Sequence, residues 1–80
     1  MTVRGVTINI QNAEKALQTA SWQDNVATSD ARYDLRYENF NNALADFDKI
    51  LKDPALTEEQ KSAVNAVIQE IQQAAAKPPQ

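Results

Sequence analysis

The sequence predicts an all-α protein: a small three-helix bundle or helical hairpin with an extended N-terminal arm. Three observations carry that prediction. Large apolar residues recur at Tyr33, Tyr37, Phe40, Leu44, Phe47 and Leu51, spaced alternately by four and three residues, which is one stripe along a helix. Thr57-Glu58-Glu59-Gln60 has the form of a capping box and opens a second periodic run, Val64, Val67, Ile68 and Ile71. Thirteen of the 80 residues are alanine, the strongest helix former, against a single glycine.

Residues 1–10 differ from the rest of the chain. Val6, Ile8 and Ile10 alternate with Thr7 and Asn9, the period of a half-buried strand, and Gly5 precedes them. A lone strand is not stable. The segment is therefore expected either as an arm laid over the helices or as a strand added to a sheet edge in a partner or a second copy.

The first helix is expected over about 11–25, capped by Asn9 or Asn12, with a narrow face of Ala13, Ala16, Leu17 and Ala20. Extending the aromatic stripe backwards from Tyr33 lands on Asp30, Val26, Gln23 and Thr19, which do not continue the first helix's face. The mismatch predicts a break in the polar stretch 25–30, with Thr28, Ser29 or Asp30 capping the next helix. One long helix over 12–52 is the alternative, because no Gly or Pro interrupts that span.

The second helix is expected over 30–52 and ends at Asp53-Pro54, since the residue before a proline avoids the α region. Asp48 and Lys52 support it at i,i+4. The third runs over 57–76, closed by Lys77 and Pro78-Pro79, and leaves 77–80 as a polar tail. The hairpin core is expected from Tyr37, Phe40, Leu44, Phe47, Leu51, Val64, Val67, Ile68 and Ile71. The helical domain is thus placed at 11–76.

Eighty residues make one small domain, which buries only roughly 60% of its unfolded surface. Leu, Ile, Val and Phe number 17 of 80, so the core is thin or is completed by association. The net charge is −3, with acids and bases interspersed, which disfavours a nucleic-acid binder needing clustered cations. Without Cys or His the chain lacks thiol chemistry, the usual general base and nearly all zinc or copper ligand sets. One glycine leaves no phosphate-binding loop. The carboxylates read as solvated helix faces. The sequence is therefore expected to be non-enzymatic, with no cofactor and no metal.

Arg32-Tyr33-Asp34-Leu35-Arg36-Tyr37 interleaves cations and aromatics, as single-strand binding platforms do. Asp30, Asp34 and Glu38 offset the arginines locally, and Arg with Tyr is also the composition of protein interface hot spots. Trp22 either plugs the end of the bundle or anchors a partner. The expected function is association with a protein partner or with itself, through Trp22, Arg32, Tyr33, Arg36 and the arm residues Val6, Ile8 and Ile10. A structural subunit of a larger assembly, such as a virion or secretion apparatus, is the alternative, and a nucleic-acid binder a weaker one. No apolar run reaches membrane-spanning length, and the N-terminus lacks a secretory pattern, so a cytoplasmic location is the default expectation, with signal-less export or virion incorporation as the other routes.

Overall fold

A computed structural model describes residues 1–78; the last two residues of the expected tail, Pro79 and Gln80, lie outside the described residues. The fold is all-α apart from a minimal hairpin: β1 (Thr2–Val3), β2 (Val6–Thr7), α1 (Ile10–Ala16) with a 3-10 turn (Leu17–Thr19), α2 (Trp22–Arg36), α3 (Phe40–Leu51) and α4 (Glu58–Ala76). It is a small helical bundle with an N-terminal arm, and among the described residues it has four helices rather than three. Packing is most extensive between α2 and α3, while α4 packs on both α1 and α3. The expected 30–52 helix is corrected to two helices; its second half, α3, packs on α4 as expected, and on α2 as well.

The arm is a hairpin closed on itself. Thr2 pairs with Thr7 and Val3 with Val6, and the Ile8 amide donates to the Met1 carbonyl at 2.7 Å. The connecting residues Arg4 and Gly5 both have positive φ, 50° and 80°, as a two-residue type I′ turn requires. The strand that the sequence left without a partner therefore finds one in Thr2–Val3. Its apolar side chains Val3 and Ile8 are buried in the common core. Ile10 is buried as well, as the first residue of α1 rather than the end of a strand.

Two helix breaks fall where no Gly or Pro marks them. The first is at Ser21, whose Oγ accepts from the Asp24 amide at 3.2 Å and caps α2. The predicted break at 25–30 is absent. The polar stretch is helical because Thr28 satisfies its hydroxyl on the Asp24 carbonyl at 2.8 Å, while Ser29 and Asp30 face solvent. The second break is at Glu38, φ 58°. Its amide donates to the Leu35 carbonyl at 3.2 Å and the Asn39 amide to the Asp34 carbonyl at 2.9 Å, the paired bonds of a Schellman motif. Glycine is the usual residue at that left-handed position; a glutamate there costs about 1 kcal/mol.

Arg4 accounts for the exception. Its side chain is largely buried and forms an ion pair with Glu38, donates to the Lys77 carbonyl at 2.8 Å, and lies 4.9 Å from the Phe40 ring centre. One guanidinium thus ties the hairpin turn, the α2–α3 turn and the end of α4. A second long-range tie runs from Glu70 on α4, which accepts from the Asn9 amide at 2.9 Å and the Asn9 Nδ2 at 2.8 Å at the start of α1.

α4 follows its sequence signals. Thr57 Oγ1 accepts from the Gln60 amide and Gln60 Oε1 accepts from the Thr57 amide, completing the capping box. The Gln60 amide nitrogen then donates to the Ala16 carbonyl and Thr19 Oγ1, both at 3.1 Å. That explains why so polar a residue is buried.

The core joins Val3, Ile8, Ile10, Leu17, Leu35, Phe47, Ile50, Leu56, Val64, Val67 and Ile71 with buried alanines 13, 31, 43 and 74. Of the residues expected in it, Phe47, Val64, Val67 and Ile71 are buried, and Phe40, Leu44, Leu51 and Ile68 are half-buried. Tyr37 is not in it.

Candidate functional site

α2 has two unlike faces. Asp24, Thr28, Ala31 and Leu35 point into the protein. Roughly 180° around the same helix lie Trp22, Val26, Tyr33 and Tyr37. These four are the exposed large hydrophobics among the described residues, with Trp22 79%, Tyr37 64% and Tyr33 60% accessible. The two tyrosine rings lean on each other, centroids 5.0 Å apart. Ser29 and Asp30 occupy the turn between the two apolar pairs, and both are exposed.

This arrangement corrects the single stripe. Tyr33 and Tyr37 belong to the outer face of α2, while Phe40, Leu44, Phe47 and Leu51 turn inward on α3. The turn at Glu38 changes the phase between the two halves. α2 buries Asp24, Thr28, Ala31 and Leu35 on its inner face, and tyrosine keeps its hydroxyl in water when left outside. Trp22 does not plug the bundle; it stands in solvent at the first turn of α2.

The outer face has charged edges of opposite sign. On the α1 side are Arg36 and Arg32, the latter paired with Glu14 at 3.1 Å. Arg36 has no ion-pair partner among the described residues. On the α3 side are Asp30 and Asp34, facing Asp46. Burial first, then the Asp34 and Asp30 carboxylates, hold the Asp46 carboxyl above the usual range against the opposing pull of Lys49. That edge is crowded with like charge.

The expected interface residues thus divide. Trp22, Tyr33 and Arg36 are exposed on one face, with Arg32 half-buried at its rim. Val6, in β2 of the arm, is half-buried against the core, and Ile8 and Ile10 are sealed in it, so these two are corrected from partner surface to core. Val26 and Tyr37 belong to the face and were not expected there. Their spacing of 4, 7 and 4 residues from Trp22 through Val26 and Tyr33 to Tyr37 was the available signal.

A second feature was not legible at all. Asp24 is buried, and its Oδ2 has no partner as an ionised group. Burial pushes its pKa up to about 6, helped by the neighbouring Asp53 carboxylate and opposed by Ser21. Asp53 moves the other way, held below the usual range by its bond from Asp24 and by the Ala55 amide donating at 2.9 Å. The two carboxyls meet where the start of α2 abuts the α3–α4 loop, and Asp24 is the one that keeps its proton to the higher pH. Lys49 and Lys52 line the same shallow depression.

No helix among the described residues is long and apolar enough to cross a membrane. No protein-family model, no curated protein and no solved structure matches the chain.

Proposed function

We propose that this protein is non-enzymatic and acts by binding protein through the outer face of α2. The observation that carries the reading is the collection of Trp22, Val26, Tyr33 and Tyr37 on one exposed stripe, opposite the buried face. Scattered apolar residues on a surface need no explanation, but two exposed apolar pairs aligned on one helix face and framed by charge mark an interaction site. Trp, Tyr and Arg are the residues that dominate binding energy at protein interfaces.

The test is site-specific photo-crosslinking of the full chain in its native source. A photoreactive residue replaces Tyr33 in one variant and Asn65, exposed on α4, in another. Adducts to protein formed from position 33, absent from position 65 and lost on adding Trp22→Ser, support the reading. Equal labelling from both positions, or none from position 33, overturns it.

A further inference from the structure

We propose that the occupant of the α2 face is a second copy of this chain, paired in parallel with the two-fold axis running along α2. This rests on the reading of that face as a protein-binding surface and names what covers it.

The first support is area. Three aromatic rings, each more than half exposed, and Val26 offer on the order of 450 Å² of apolar side chain per copy. Two copies with their polar rims reach about 1,000 Å², the lower bound of a specific interface. The stripe from Trp22 to Tyr37 runs along about 22 Å of helix, four turns, with the small Ser29 at its middle permitting close approach.

The second support is charge, and it selects the orientation. A two-fold axis along the helix sets the Arg32 and Arg36 edge of one copy against the Asp30, Asp34 and Asp46 edge of the other, at the same height, on both sides of the seam. An axis perpendicular to the helix sets like edges together and would gather the three aspartates of each copy along one side. Each edge is incomplete within a single chain: Arg36 has no ion-pair partner among the described residues, and Asp34 faces another carboxylate. The parallel pair supplies each with its opposite.

Sedimentation equilibrium of the full chain over about 1–100 µM, the range in which an interface near the small end of the size scale dissociates, is the experiment. A dimer is expected. Arg36→Asp and Asp34→Arg should each weaken it by about tenfold or more, because each homodimer then carries like charge on both edges. Mixing the two variants in equal amounts should restore association to near the wild-type level, since both edges are complementary in the mixed pair. Circular dichroism is expected to show unchanged helix content in both variants, Arg36 being exposed and Asp34 half-buried at the rim of the face.

A monomer at about 100 µM overturns the proposal, as does a dimer indifferent to both substitutions or one not restored by mixing. The two readings fail separately. A monomeric chain that still crosslinks from position 33 to a different protein removes the second copy and leaves the α2 face as a binding surface. A monomer without adducts removes both.

Discussion

Asp24→Asn should raise the stability of this protein at neutral pH and leave it nearly unchanged near pH 4. In the unfolded chain this carboxyl titrates near 3.8; in the fold, burial and the Asp53 charge move it to about 6. Between those values the folded state holds a proton that the unfolded state has lost. Stability therefore falls as pH rises through that window, and the loss is complete above about pH 6. At 1.36 kcal/mol per pH decade the ceiling is about 3 kcal/mol. Asp53, whose pKa is lowered, has the opposite sign and acts below the window, as its carboxylate takes up a proton. Asparagine keeps the size of the protonated side chain, and its Nδ2 can donate to Asp53 without a proton to lose. Part of the gain is offset, because Asp24 sits in the first turn of α2, where a negative charge is worth about 0.5 kcal/mol. The net expectation at pH 7.5 is a gain of about 1–2 kcal/mol, or an upward shift in Tm of about 4–8 °C per kcal/mol. Urea unfolding of both proteins at pH 4 and pH 7.5, followed by circular dichroism, measures the difference and cancels the other carboxylates. A variant no more stable than wild type at pH 7.5, or a difference that does not change with pH, would show that Asp24 does not hold the proton.

Two further substitutions probe the long-range ties. Glu38→Ala and Glu38→Gly both remove the ion pair with Arg4, but only glycine relieves the left-handed backbone; the alanine variant should be less stable by about 1 kcal/mol, and equal melting curves would contradict the assigned turn. Gln60→Glu keeps the acceptor of the capping box but turns the two donated bonds into carboxylate facing the Ala16 carbonyl and Thr19 hydroxyl. Its cost at pH 7, about 2 kcal/mol, should exceed the roughly 1 kcal/mol of Thr57→Ala and shrink at pH 4, where the protonated acid donates again; a pH-independent loss would count against the buried contact.

Local signals carried the parts of the fold that depend only on neighbours. The α4 helix was legible to within a residue because Thr57 and Gln60 satisfy each other over one turn and Val64, Val67 and Ile71 repeat on one face. The inward half of the aromatic stripe was legible for the same reason. In the candidate site, Trp22, Tyr33, Arg32 and Arg36 were readable by residue type. Val26 and Tyr37 were missed, and Ile8 and Ile10 misassigned, because periodicity gives a face but not which side of it meets the core.

The sequence by itself determined that this chain is helical, with Phe47, Val64, Val67 and Ile71 as part of its core and a capped last helix. Tertiary structure decided where the long polar and aromatic span is cut, and therefore which way Tyr33 and Tyr37 point. The break at Glu38 has no glycine or proline to announce it, and the residue that supports it, Arg4, is 34 positions away. A left-handed glutamate is unfavourable as a local choice, and a distant guanidinium offsets part of its cost. The turn at Glu38 sets the phase between α2 and α3, leaving Tyr33 and Tyr37 exposed while Phe47 is buried.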